Sequence, residues 1–408
     1  KYDWIVIGGG ISGISVSEIL IREGKSVLLI EKNDKLASET SKVFHEWMHS
    51  GALYSLVPDN LLTLRYLLGA TDDLLEFYKG FLRMNLIPTE SGIQISKEGW
   101  FNNHRIEYRY RIHKLNPVWL SITSRSMNLI DKVSSHDWLR KRAGSDYSSS
   151  NFAVTQWVNN IPSLIASKKM FYPKLSPDLT MNSRHLISDL LSLSIQNGLE
   201  ILTEEAVIDV NDSEGNVWVT TTNDRYNSEK VVICSPDVVS QLKGIPIKKG
   251  YAPIAIVENL PEEENSFVEL DYSPRKCINL LIKENGIGQV GGITLNNKKD
   301  VQPYLNYIIS KHKKRNPSIK VIGSYVGLKK ELVQKGEDRN YLYHINHSSS
   351  NVWTVILGKF TLAFSMAPEF YRRVYHKNPT KKIDSFMPSD NKNLLSETSW
   401  QEIINNRE

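Results

Sequence analysis

Apolar positions along the chain follow three patterns. The first is the short continuous run. Tyr2–Ile7 (YDWIVI) and residues 26–30 (SVLLI) are such runs and predict strands buried on both faces. Between them, residues 14–22 read as a helix. The second pattern is spacing by three and four. Leu61, Leu62, Leu64, Leu67, Leu68, Leu74, Leu75, Phe77 and Phe81 predict a helix within residues 59–86. The same reading gives helices over 129–143, 182–198 (stopped by Gly198), 300–315 and 362–376, and a short amphipathic piece at 400–404. Pro368 falls inside the helix over 362–376, which must therefore kink or start late.

The third pattern is alternation. Residues 92–112 predict strands, and within 104–112 (HRIEYRYRI) Arg105, Glu107, Arg109 and Arg111 share one face while Ile106, Tyr108, Tyr110 and Ile112 share the other. Further strands are predicted over 199–210, 216–222, 230–236, 254–294, 319–328 and 351–361. Residues 144–151 are polar and turn-like, and 171–178, with two prolines, read as a connection. No internal repeat is present.

Composition narrows the class. At 408 residues with 40% hydrophobic content, the chain holds real cores in two domains, or in one domain with a large insertion. The net charge of +5 is mild and scattered, and the run Lys311 to Arg315 (KHKKR) reads as a solvated helix face, so no nucleic-acid partner is expected. Cys234 and Cys277 are the two cysteines, which suits a reducing cytoplasm. No stretch is long and apolar enough for a membrane span, which leaves peripheral contact with a membrane open. No signal peptide is expected, because the first apolar run leads into glycines.

Candidate chemistry begins at those glycines. Gly8, Gly10 and Gly13 stand in the G-x-G-x-x-G spacing between the first strand and its helix, and the second strand ends on Glu31. In a dinucleotide-binding unit the first glycine permits the sharp turn, the second lets a pyrophosphate approach the backbone, and the third lets helix and strand pack closely. The helix start around Ile11 and Ser12 then offers free N–H groups to the phosphates. Glu31, followed by Lys32, sits where a carboxylate accepts hydrogen bonds from a ribose. A competing motif follows. His45-Glu46-Trp47-Met48-His49 spells H-E-x-x-H, the zinc-hydrolase helix. The position of a third histidine in the extended motif is Ser55, leaving Glu76 as a more distant ligand.

Beyond Glu31, Ser38-Glu39-Thr40-Ser41-Lys42 and His49-Ser50-Gly51 resemble the Ser/Thr-rich segment and H-x-G element of the D-amino-acid-oxidase class of flavoproteins. The resemblance is to the branch with FAD-dependent glycerol-3-phosphate dehydrogenase and L-2-hydroxyglutarate dehydrogenase. Gly358-Lys359-Phe360-Thr361 is similar to that family's turn into its last helix, and Gly291-Gly292-Ile293-Thr294 to its glycine–threonine turn. The resemblance implies FAD as cofactor. Thr40, Ser41, His49, Ser50 and Gly51 would lie along the diphosphate and flavin, and Val207 at the adenine. Gly358 to Thr361 would meet the flavin pyrimidine, where negative charge gathers on reduction. The family ends its late strand with Ala-Gly. Here Cys234-Ser235-Pro236 stands instead, closer to amine oxidases, with Ser235 at the cofactor.

The expected architecture is α/β, a Rossmann-like FAD-binding domain with an inserted mixed-sheet α+β substrate domain. The FAD domain would take residues 1–90, 165–236 and 350–380, the substrate domain 91–164 and 237–349, and a tail 381–408. The expected function is FAD-dependent oxidation of a C–OH or C–N bond in a small anionic substrate by hydride transfer. Arg109, with Arg105 and Arg111, would hold the anion, or that face is a solvated one on which Glu107 neutralises its neighbours; His49 would act on the substrate proton, position the reactants, or be a satisfied core histidine. The electron acceptor (oxygen, quinone or a protein) is not legible. The alternatives are an amine-oxidase-like flavoenzyme, a non-catalytic dinucleotide-binding protein and the zinc hydrolase.

Overall fold

The computed structural model describes residues 1–133 and 160–407, apart from positions 60, 90, 91, 97, 214, 263, 284, 285, 387 and 390. The reading of residues 144–151, and most of the helix expected over 129–143, lie outside the described residues.

Two eight-stranded sheets organise the chain. The first is built on Tyr2–Ile7, which pairs in parallel with Val27–Ile30 on one side and Arg225–Ile233 on the other. Glu200–Leu202 and Val352–Leu357 extend it in parallel, and Tyr343–Ser349 closes one edge antiparallel. Trp4, Ile5, Val6 and Ile7 are buried, as a central parallel strand requires. The first helix, Ile11–Arg22, is buried along its whole length. It packs beside Ser183–Gln196 and Ala363–Tyr375. Its one charged pair, Arg22 and Glu18, is a fork of two 2.7 Å hydrogen bonds, and Arg22 Nη1 also donates to the Phe77 carbonyl. Pro368 sits inside Ala363–Tyr375, so one i to i−4 bond is absent without ending the helix.

The second sheet runs Lys320–Glu331, Lys248–Glu258, Gly288–Gly292, Ile278–Ile282, Phe267–Leu270, Phe101–Arg111, Phe171–Met181, Trp47–Met48. Helix Pro117–Val133 packs on one face, against Tyr108 and Tyr110. Helix Val301–Arg315 packs on the other, against Phe267, Leu280 and Val290.

Three boundaries differ from the sequence reading. The proline-bearing stretch is a strand, Phe171–Met181, of the second sheet rather than a connection within the first. Its prolines are tolerated because its second neighbour, Trp47–Met48, covers only Leu179 and Thr180, so Pro173 and Pro177 lie on an open edge. Tyr343–Ser349 belongs to the first sheet. Trp47–Met48, early in the chain, belongs to the second. The C-terminal segment is tied down. Helix Ser399–Asn405 starts with a capping box between Thr398 and Gln401, and Trp400 Nε1 donates to Glu46 at 2.8 Å. Among the described residues, no helix is long and apolar enough to cross a membrane.

Candidate FAD and substrate site

A cleft of about 1080 Å³ runs between the two sheets. One end is the glycine turn. Gly8 has φ of +106°, and a Cβ on Gly13 would stand 1.9 Å from the Gly8 carbonyl oxygen, so strand and helix approach as only glycine allows. Above Gly10 the space is open. A Cβ there would meet only the Ser41 hydroxyl, at 3.5 Å. That hydroxyl accepts from Ile11 N at 3.0 Å, which leaves its own proton to donate into the cleft. The N-cap residue Gly10 has no side chain to cap the helix, so beyond Ile11 N its first N–H groups, Ser12 included, face the same space.

Glu31 accepts from Gly9 N at 2.6 Å and from Asn33 N at 2.9 Å. Asn33 Nδ2 also donates to Oε1, at 2.8 Å, so Oε1 is saturated and Oε2 keeps a lone pair for a ribose hydroxyl. Nearby, Lys32 and Lys330 hold Glu39, and Lys330 also reaches Asp237 at 2.5 Å. Burial works against the Glu39 charge, but the two lysines bring its carboxyl down to about 2. This ionic cluster crosses the cleft from the second sheet to the first. Val207 and Ser235 line the same end.

The other end holds His49. Its ring stacks on Trp47 at 4.4 Å and meets the edge of Tyr54 at 5.3 Å. Its backbone N donates to Thr361 Oγ1 at 3.3 Å. Burial, then the charges of Lys359 and Lys329, push the imidazole well below its ordinary value, so it is neutral near pH 7. Its Nδ1 has no hydrogen-bond partner and lies 3.8 Å from Asp178 Oδ2, too far for a hydrogen bond; with a neutral ring this is no ion pair. Asp178 is saturated instead by Trp47 Nε1, Ser50 N, Ser50 Oγ and the Tyr108 hydroxyl.

Cations gather around this end. Lys359 stands over the rings of Tyr54 (4.8 Å) and Tyr341 (5.0 Å), and Arg339 over Tyr341 (4.8 Å). Arg339 is paired with Glu331. Burial, followed by Arg339, lowers Lys329 to about 8; burial, followed by Lys329, pushes Lys359 well down. Both lysines thus have their charge suppressed, Lys329 by burial and Arg339, Lys359 by burial, Lys329 and Arg339.

The cleft thus brings together Gly8, Gly10, Ile11, Ser12, Glu31, Lys32, Thr40, Ser41, His49, Val207, Ser235, Gly358, Lys359, Phe360 and Thr361. Three expected residues stand behind it. Gly13 packs on Gly8, Ser50 anchors on Asp178, and Gly51 (φ +109°) lies against Leu64 rather than under a ring. Arg109 is the clear correction. In the register of the second sheet it lies beside Glu269, on the opposite face from Val268 and Leu270, which line the cleft. It is bound to Glu107 at 2.6 Å and Glu264 at 3.3 Å, and covers Phe267. Arg105 and Arg111 share its strand and are likewise outside the cleft lining. The H-E-x-x-H spelling is not helical, since Trp47–Met48 is strand and Glu46 is held by Lys283, Ser183 and Trp400.

Lys329, Arg339, Tyr54 and Tyr341 were missed by the sequence reading. They carry no local motif and meet only through long-range pairing. The fit to FAD is good on this structure's own terms: a glycine turn bare above Gly10, a hydroxyl and free N–H groups for a diphosphate, an acid for a ribose, and unpartnered buried atoms at Ser38 Oγ, His45 Nε2 and His49 Nδ1 along one cleft.

Comparison with known proteins agrees. The sequence model described as DAO, FAD dependent oxidoreductase, matches residues 3–352. L-alpha-glycerophosphate oxidase from Mycoplasma pneumoniae, solved with FAD bound, superposes with a TM-score of 0.64 at 16% identity, covering 95% of this chain and 99% of that one. Glycine oxidase from Geobacillus kaustophilus superposes with a TM-score of 0.61 at 12% identity, covering 95% and 99%. At these identities the likeness is one of fold. UDP-galactopyranose mutase of Mycoplasma pneumoniae (strain ATCC 29342 / M129 / Subtype 1) is 47% identical over 55 residues, which span 12% of this chain and 14% of that protein.

Proposed function

The chain belongs to the DAO family of FAD-dependent oxidoreductases, and from that premise we propose that it oxidises a C–OH or C–N bond of a small anionic substrate at the His49 end of the cleft. The observation that carries this reading is the gathering of Lys329, Lys359 and Arg339 beside the neutral, unpartnered His49 imidazole.

Bound FAD supplies the acceptor for the electron pair that leaves the substrate carbon. The glycine turn, Ile11, Ser12 and Ser41 would hold its diphosphate and Glu31 its ribose, while Gly358 to Thr361 line the cleft at the His49 end. The protein's own part is binding, orientation and proton movement. Lys329 and Arg339 bind the carboxylate or phosphate of the substrate, a charge-assisted contact strengthened by burial. Trp47 and Tyr54 hold the His49 ring by stacking and edge contact, so Nδ1 keeps a fixed direction. With Nδ1 buried beside Asp178, the other ring nitrogen, Nε2, accepts the proton from the substrate hydroxyl or amine as the bond to hydrogen at carbon breaks. Aromatic walls at Trp47, Tyr54 and Tyr341 exclude water.

The test is anaerobic bleaching of the flavin absorbance with hydroxy acids, amino acids and glycerophosphates, each beside its neutral ester or amide analogue. Bleaching by an anionic member but not by its neutral partner supports the reading. Equal bleaching by both would sink the anion site. The same panel separates C–OH from C–N substrates.

A further inference from the structure

Large apolar side chains stand exposed on three neighbouring loops and on the helix ends that adjoin them, Val118 in Pro117–Val133 and Ile165 in Ile161–Ala166. Leu115 is 100% exposed, Val118 58%, Ile165 52%, Met170 62% and Tyr272 54%. The loops are neighbours because the second sheet makes them so. They follow Phe101–Arg111, precede Phe171–Met181 and follow Phe267–Leu270, three strands adjacent in the sheet. Direct contacts tie them together. Ile112 N donates to the Met170 carbonyl at 3.0 Å, His113 lies 3.4 Å from Asp271, and Trp119 meets Tyr272 at 6.2 Å between ring centres.

The same loops are basic. Lys114, Lys168, Lys169, Arg275 and Lys276 are all exposed. Asp271 is their one acid, and it is buried beside Arg111 and His113. Arg275 also has Asp300 at 3.5 Å, which leaves the four lysines without an acidic partner among the ion pairs of the described residues. A fully exposed leucine projects from the surface rather than lining a groove. Apolar tips ringed by lysine fit a surface that is negative outside and apolar just beneath, which is the chemistry of an anionic lipid bilayer.

We infer that these three loops dock the protein on an anionic membrane surface, with the apolar tips entering the headgroup layer and the lysines meeting lipid phosphates. The surface borders the cleft described above. Pro274, between Tyr272 and Arg275, lines that cleft, as does Cys277. Docking therefore turns one mouth of the cleft toward the bilayer, where a lipid-borne substrate or electron acceptor enters without crossing water. This last point rests on the oxidoreductase reading; the docking itself does not.

The FAD-loaded full chain is sedimented with vesicles of phosphatidylcholine alone and of phosphatidylcholine with phosphatidylglycerol, at low and high salt. Binding to the anionic vesicles that weakens with salt is expected. Lys168→Glu with Lys169→Glu should lower it by about five-fold or more per residue. Leu115→Ser with Met170→Ser should also weaken it, while flavin content and bleaching by a water-soluble substrate stay unchanged. The inference is overturned if the wild type stays in the supernatant with both vesicles at low salt. Undiminished binding by both variants overturns it too. So does self-association that Leu115→Ser abolishes without any vesicle binding, which would make the patch an interface between two copies.

Discussion

His49 and Lys329 show how much one side chain owes to its surroundings. Burial and two neighbouring lysines hold the His49 imidazole neutral, so its proton-accepting form persists through pH 7 and is lost only as pH falls toward its lowered value. His49→Gln keeps a hydrogen-bonding group and removes the titration. Flavin reduction measured by stopped flow should fall by about 10² to 10⁴-fold, and any acidic limb of its pH profile should vanish. Wild-type rates in the variant would return His49 to a packing role. Lys329 behaves in the opposite sense. It loses its positive charge as pH rises through about 8, so affinity for an anionic substrate should weaken above that pH. Lys329→Met should raise KM by about ten- to a hundred-fold and abolish the alkaline limb, with kcat little changed. A limb that survives in Lys329→Met would assign it to another group.

At the scale of the element, the turn from Tyr2–Ile7 into Ile11–Arg22 separates two jobs that glycine performs. Gly13 serves packing, since a Cβ there would meet the Gly8 carbonyl at 1.9 Å. Gly10 serves the ligand, since a Cβ there meets nothing closer than 3.5 Å. Gly13→Ala should therefore destabilise the fold, by about 1–3 kcal/mol or more, and lower the melting temperature. Gly10→Val should keep the far-UV circular dichroism and melting curve of the FAD-free protein and lose the flavin absorbance. Stoichiometric FAD in Gly10→Val would show that the diphosphate lies elsewhere. The strand Phe101–Arg111 teaches the complementary lesson. Its alternation is as read, with Ile106, Tyr108 and Tyr110 buried. Alternation tells which residues share a face but not which face meets the cleft, and here the arginine face meets helix Val301–Arg315.

Across the whole molecule, the two sheets and the C-terminal helix meet at Glu46. Its carboxylate is 2% exposed, with φ of +55°, and accepts from Ser183, Lys283 and Trp400, while Lys283 also donates to the His45 carbonyl. Burial alone would raise Glu46, but Lys283 and Ser183 outweigh it and hold the carboxyl down. The knot lies between His45 and Trp47 in sequence and so fixes the path of the segment that carries His49. Lys283→Met strands a buried carboxylate and should cost about 3–5 kcal/mol of stability. Chemical denaturation should read that loss, and Glu46→Gln added to Lys283→Met should recover part of it. An unchanged denaturation midpoint in Lys283→Met would show that the pair does not hold the sheets together.

What the sequence determined by itself is what contiguous residues enforce. The strand, glycine turn, helix and acid from Tyr2 to Glu31 were legible because each residue acts on near neighbours, and the cofactor class followed from that unit with the matching Gly358 to Thr361 turn. Helices Ser183–Gln196 and Val301–Arg315 were legible from periodicity alone. Phe171–Met181 was misread because proline argues against a strand unless one knows that its edge is open. The gathering of cations at the His49 end was not legible. Lys359 was legible only as part of its glycine turn, Lys329 and Arg339 carry no motif, and Arg109 lies on the face of its strand away from the cleft, held by Glu107. Only the tertiary structure decided between them, because sheet register and long-range pairing determine which side chains share a cleft.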